Sequence, residues 1–248
     1  MLKTMSCINK CQMSQNSIRG YAKGKKKRFA VVLSGSGMLD GTEIHEAASA
    51  VIHLTKHNYE PIFYGVTCPQ ADVIDHSKGC PMNEIRSAIV EAARIARGKI
   101  CPINDLSACD AAGVVFPGGF GVAKILTSYA ADGAACTVNA EVLRVLQEFH
   151  DAQKPLAFMC ISAILPARVF PRVKVTLGMK GDVQKWPHSD AVDAANQMGA
   201  EVEPRRVDEI SFDKQHFVFS TPAFMYNGTF HQVFEGIGLM IDTMNKVI

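Results

Sequence analysis

None of the eight cysteines stands in a C-x-x-C pair. Cys7 and Cys11 lie near the start, and Cys68, Cys80, Cys101, Cys109, Cys136 and Cys160 are scattered through the rest. That spacing suits neither a structural zinc site nor a disulfide framework, and it points to a reducing compartment. No apolar run approaches about 20 residues, so no segment reads as membrane-spanning. No Gly-Lys-Ser/Thr follows the glycines of Gly35–Gly41, which excludes a P-loop. Gly35, Gly37 and Gly41 overshoot G-x-G-x-x-G by one residue, and no acid closes the next strand about 20 residues on. A nicotinamide site is therefore rejected as well.

Acidic residues are absent from residues 1–28, which carry eight of the 26 Lys and Arg residues. The remainder holds 18 basic residues against 24 acidic ones, a net charge of about −6. A mildly acidic domain argues against a nucleic-acid groove, which needs a basic surface. The first segment also has Ser6, Ser14, Ser17 and Asn16 but no apolar run of the secretory type. Basic, hydroxyl-bearing and acid-free, residues 1–27 read as an organelle transit peptide. A basic tail that stays attached is the alternative, and a nuclear signal in Lys25–Arg28 is weaker still. Mitochondrial localisation, in the matrix, satisfies both the leader and the unpaired cysteines.

From Arg28 to the end the chain reads as one α/β domain, residues 28–248. Phe29–Ser34, Pro61–Val66, Ala111–Phe116 and Pro155–Met159 are short apolar runs bounded by turn residues, as buried parallel strands are. Val173–Leu177, Val202 and Val218–Ser220 are further strand candidates. Helical spacing starts at Thr42, where Asp40 and Glu43 resemble a capping box. Further helices are expected over Asn83–Arg97, Asn139–Ala152, Ile161–Phe170 and Gly236–Ile248. Strands alternating with helices imply a mostly parallel sheet covered on both faces, with working residues beyond the strands' carboxyl ends. Gly35–Gly41, Pro117–Gly121 and the turn at Cys160 occupy that position.

Cys160 sits where a strand gives way directly to a helix. A nucleophile elbow is built this way, and a helix N-terminus there would lower the thiol pKa. An ordinary buried cysteine is the competing reading. Pro117-Gly118-Gly119-Phe120-Gly121 favours function, because side-chain-free backbone can turn N–H groups toward an oxyanion. Glu43 and Glu46, with His45 between them, open the first helix; either carboxyl could stand beside the cysteine, and both could instead face solvent. His53 and His57 lack the acid of an HExxH metal site, so no metal is expected.

SGSGMLDGTEIHEA, VIDHSKG, ARIARGKI, FPGGFGVAKIL, CTVN, KPLAFMCIS and STPAFM, in that order, resemble a known group. It comprises the mitochondrial glutamine amidotransferase-like domain proteins and the bacterial enhancing-lycopene-biosynthesis protein, within the superfamily of the PfpI protease and the Parkinson-disease protein deglycase. The resemblance implies a flavodoxin-like three-layer sandwich with Cys160 as nucleophile. It also assigns to Glu46 the acid that approaches the cysteine, and implies a cofactor-independent glyoxalase or deglycase acting on methylglyoxal, glyoxal or their adducts. Under this reading Gly118 and Gly119 steady the oxyanion, Glu46 shuttles a proton between carbons, and Phe120, Ile161, Glu43 and His76 border the substrate. His76 and His188 are candidates for the general base.

The chain departs from its relatives in places. Thr221-Pro222-Ala223-Phe224 stands where amidotransferases proper carry His-x-Glu, so no ammonia-releasing triad is expected. Ile161 replaces the histidine that follows the PfpI-type cysteine, and Ser36 replaces a second cysteine. An oxidisable Cys160 serving as a redox sensor, or a scaffold with a lost site, are the other readings. Homodimers are common for such sandwiches, though no surface stripe in the sequence demonstrates one.

Overall fold

The structure is a computed structural model that describes residues 26–248. The leader expected over residues 1–27 thus lies outside the described residues, apart from Lys26 and Lys27.

A seven-stranded sheet forms the centre. Its strands are β1 (Arg28–Leu33), β2 (Glu60–Gly65), β5 (Ile100–Pro102), β6 (Gly113–Phe116), β7 (Leu156–Met159), β10 (Ser211–Asp213) and β11 (Val218–Thr221), in the spatial order β10-β11-β7-β6-β1-β2-β5. Every pairing is parallel except that of β10 at the edge. Strands β6, β7 and β11 are buried throughout and β1 from Phe29 onward, which accounts for their unbroken apolar sequences. Burial of each such valine, leucine or phenylalanine is worth roughly 1.5–3 kcal/mol. Helices α1 (Ile44–Lys56), α2 (Ala88–Ile95), α3 (Tyr129–Asp132), α4 (Ala140–Asp151), α5 (Ile164–Val169), α6 (Asp190–Gln197) and α7 (Phe230–Asn245) flank the sheet. The architecture is the flavodoxin-like sandwich expected. No helix among the described residues is long and apolar enough to cross a membrane.

Several local expectations are corrected. Residues 83–87 have helical periodicity but are extended: Gln70 N–H donates to Arg86 O at 2.8 Å, and Ala88 N–H to Cys68 O at 2.9 Å. Pairing with a distant segment overrides local propensity there. Asp40 forms no capping box, because its Oδ2 accepts the Ile74 N–H at 2.7 Å. Glu43 caps α1 instead, its Oε2 accepting the Glu46 N–H at 2.7 Å. Only Lys174–Val175 (β8) of the run at 173–177 is strand, paired with β9 (Glu201–Val202) outside the main sheet. The closing helix starts six residues earlier than expected, at Phe230, behind a Thr229–Gln232 capping box. Strands β5 and β10 and the small hairpin of β3 (Ile74–Asp75) and β4 (Cys80–Pro81) carry too few residues to show a period in sequence.

Parallel pairing of β1, β6 and β7 brings their carboxyl ends side by side. The loops there are laced together through backbone: Glu43 N–H to Gly118 O at 2.9 Å, Phe120 N–H to Met38 O at 2.8 Å, and Gly121 N–H to Gly41 O at 2.9 Å.

Candidate active site

Cys160 has φ +58°, in the left-handed region that a non-glycine residue seldom enters. Strand β7 ends at Met159 and a single 3-10 turn, Cys160–Ala163, leads into α5. Ser162 holds this junction: its buried hydroxyl accepts the Met159 N–H at 2.9 Å and lies 2.7 Å from Phe116 O on the neighbouring strand. Ser162 thus fixes the turn through its hydroxyl as well as fitting it by being small. Ser162→Ala strands a buried donor or acceptor, and should cost about 1–3 kcal/mol in urea unfolding. Two residues before the cysteine, Phe158 tolerates its bulk because it points into the core, stacked on Phe116 at 5.2 Å between centroids.

Glu46, on the first turn of α1, is fully buried beneath the cysteine. Its Oε2 accepts the Gly118 N–H at 2.7 Å and its Oε1 accepts the Phe224 N–H at 3.1 Å. The Cys160 thiol lies against the same carboxyl, with the N–H groups of Ile161 and Gly119 beside the sulfur. Residue 118 has to be glycine, since a Cβ there would lie 2.6 Å from the Cys160 Cβ and 2.7 Å from Glu46 Oε2.

Electrostatics here reverse the sequence expectation. Burial, then the charge of Glu43, push the Glu46 carboxyl up to about 8 against the pull of the two N–H donors. Burial, then the charge of Glu46, push the Cys160 thiol well above its ordinary value, and the Ile161 and Gly119 N–H groups offset only part of that rise. The cysteine is only 8% exposed, and one short turn behind it does not supply the dipole of a long helix. Sulfur and carboxyl thus hold their protons as a pair, and two negative charges side by side are disfavoured.

Above the pair opens a cavity of about 900 Å³. Cys160, Ile161, Gly119, Phe120 and Glu43 lie on its wall, as does His188. Glu46 does not, being sealed beneath. Gly118 turns its N–H to Glu46, so that donor is already taken and the free oxyanion donor expected there is not available. His76 is also off the wall: its Nε2 accepts the Leu39 N–H at 3.2 Å, which pins the 35–41 loop.

His45 joins the site although the sequence reading gave it no role. It lies on the cavity wall, with Nδ1 2.8 Å from Glu43 Oε1 and its ring 4.5 Å from that of Phe230. The signal was present as E-I-H, since a helix-capping glutamate folds back over the first turn. His53 and His57 are engaged elsewhere, with Phe234 O and Asp242, tying α1 to α7. Among the described residues no three His, Cys, Asp or Glu side chains are grouped to hold a metal.

No protein-family model matches the chain. It is 43% identical over 227 residues to the mitochondrial ES1 protein homolog of Rattus norvegicus, covering 91% of this chain and 85% of that one. It is 44% identical over 216 residues to the mitochondrial glutamine amidotransferase-like class 1 domain-containing protein 3 of Homo sapiens, covering 86% and 81%. Among solved structures, an isoprenoid biosynthesis protein with an amidotransferase-like domain from Ehrlichia chaffeensis superposes with a TM-score of 0.80 at 32% identity, over 89% of this chain and 98% of that one. With its sheet, its loops and relatives of this similarity, the chain belongs to the ES1 family of glutamine amidotransferase-like class 1 domain proteins.

Proposed function

We propose that the chain is a cofactor-independent enzyme of the glyoxalase or deglycase kind, acting through Cys160 on 2-oxoaldehydes or their adducts. The observation that carries this reading is a cysteine at a left-handed strand–helix junction, set over a buried carboxyl at the floor of an open cavity, an arrangement that suits a nucleophile. Amidotransferase chemistry is set aside, because residues 221–224 carry neither the histidine nor the acid of the ammonia-releasing triad. A redox-sensing Cys160 is the alternative; it needs the same thiolate, and the cavity above the sulfur, large enough for an organic ligand, favours the enzyme. The mitochondrial names of curated relatives support a mitochondrial site of action.

In the singly deprotonated pair the Glu46 carboxylate accepts the thiol proton as sulfur bonds to the aldehyde carbon. The aldehyde oxygen gains negative charge before the Gly119 and Ile161 N–H groups, then takes a proton from solvent and completes a hemithioacetal, and Glu46 gives up the thiol's proton as the cycle closes. His45, oriented by Glu43, takes the proton from the former aldehyde carbon to give an enediol and returns it to the neighbouring carbon, while the hemithioacetal hydroxyl proton passes to the former ketone oxygen, leaving a thioester. Water cleaves the thioester, releasing the 2-hydroxy acid and restoring the thiol. Aldehyde plus water equals product, so the steps balance. Proton transfer between carbons belongs to His45 rather than Glu46, because Glu46 does not reach the cavity.

His45→Ala should lower lactate formation from methylglyoxal by about 10²–10⁴-fold, as loss of a general base does. An unchanged rate would remove His45 from the mechanism.

A further inference from the structure

The cavity is far larger than methylglyoxal needs, and much of its wall is apolar. Five heavy atoms, at roughly 20–30 Å³ each by the standard of liquid water, occupy on the order of 100–150 Å³. The space above Cys160 is about 900 Å³, within the range that accepts ligands of drug size. Its wall is largely hydrocarbon and ring: Met38, Phe120, Ile161, Phe224, Tyr226 and Phe230. Phe224 and Phe230 meet edge to face at 5.7 Å, and Phe120 meets His188 edge to face at 6.0 Å, so the wall presents rings on two sides. Phe230 is 64% exposed and Met38 43% exposed, which leaves large apolar side chains in water on the wall of the cavity that holds Cys160. An apolar surface of this kind at a site is where a ligand's non-reacting body gains its affinity.

We infer that the substrate proper is a 2-oxoaldehyde whose ketone carbon carries an aryl group or a hydrocarbon body of similar bulk, with the ring held among Phe120, Phe224 and Phe230. This rests on the reading of Cys160 as a nucleophile toward aldehydes. Replacing methyl by phenyl covers several side chains that methyl cannot reach. One methylene in an apolar pocket is already worth tenfold or more in discrimination.

The test has a catalytic arm and a binding arm. In the first, kcat/KM is measured for phenylglyoxal and methylglyoxal, each divided by that aldehyde's rate with free thiol. The expected ratio is at least tenfold in favour of phenylglyoxal, expressed in KM, and Phe230→Ala should cut that ratio at least threefold. In the second, Cys160→Ala protein is titrated with the inert ketones acetophenone and acetone. Trp186, the chain's single tryptophan, packs on the cavity-lining Tyr226 at 4.9 Å, so its one indole N–H resonance reports on the cavity. Acetophenone should shift it saturably and acetone should not. If neither aldehyde is turned over while acetophenone alone shifts the indole, the aryl preference stands and the aldehyde chemistry falls. If both aldehydes react with equal normalised kcat/KM and neither ketone shifts the indole, the aryl inference is overturned and the chemistry stands. No turnover and no shift overturns both.

Discussion

Cys160→Ala protein should form lactate from methylglyoxal no faster than buffer does, a loss of at least about a thousandfold. Removing a nucleophile typically costs that much or more, since every bond-making step passes through it. The variant is a clean one: alanine and cysteine bear a φ of +58° equally, and the thiol adds little volume to the floor. Circular dichroism melting should therefore show a folded protein whose Tm lies within a few degrees of the parent. Cys160→Ser tests more finely, because its hydroxyl can still donate to Glu46 while being far less nucleophilic. It too should be inactive. Cys109→Ala, at an exposed cysteine away from the cavity wall, should leave the rate untouched. Equal rates in parent and Cys160→Ala protein would remove the proposed chemistry altogether.

Legibility of the sequence followed the length and depth of each segment. Strands β1, β6 and β7 were readable because burial on both faces demands unbroken apolar residues, and the Cys160 junction because a strand ran into a helix without a loop. Residues 83–87 misled because their partners, near Cys68 and Gln70, are set by tertiary pairing that no local period records. Within the site, Glu46 followed from family resemblance, whereas its two backbone donors did not: Phe224 stands 178 residues further along the chain. The thiol pKa was misjudged for the same reason. A helix N-terminus is visible in sequence, but burial and a neighbouring carboxyl are properties of the assembled molecule, and here they dominate. His45 was legible in principle, because a glutamate that caps its own helix must fold back to where a histidine two residues later can meet it. His76 lies in VIDHSKG, one of the stretches that carry the family resemblance, yet its Nε2 accepts the Leu39 N–H and so holds a loop.

Glu46→Gln is expected to make stability less sensitive to alkali and to reshape the pH profile of turnover. The amide is the isostere of the protonated acid, with one oxygen able to accept from Gly118 or Phe224. Folding the parent raises the Glu46 carboxyl from an ordinary 4.5 to about 8, so between those values the native state holds a proton that the unfolded chain has released. The stabilisation tied to that proton is complete below pH 4.5. It declines as pH rises toward about 8 and is gone beyond it. At about 1.4 kcal/mol for each unit of pKa, the change across this window is bounded at roughly 5 kcal/mol, enough to move Tm by on the order of 10 °C in a domain of this size. Melting curves of parent and Glu46→Gln protein should then nearly coincide at pH 5 and separate by pH 8, with the variant the higher. Parallel curves over that range would mean that Glu46 is already ionised at pH 5, against a carboxyl held neutral by burial. Turnover supplies the second readout. In the parent, kcat/KM should climb as the pair loses its first proton near pH 8, because the carboxylate is what accepts the thiol proton. In Glu46→Gln protein the acceptor is gone and the rate should fall by about 10²–10⁴-fold. Without a neighbouring charge the thiol pKa should also drop from its raised position, so that iodoacetamide alkylation of Cys160 begins at lower pH even as catalysis fails. Faster alkylation with lost turnover separates a proton acceptor from a residue that merely supports the fold, because a collapsed site would disturb both.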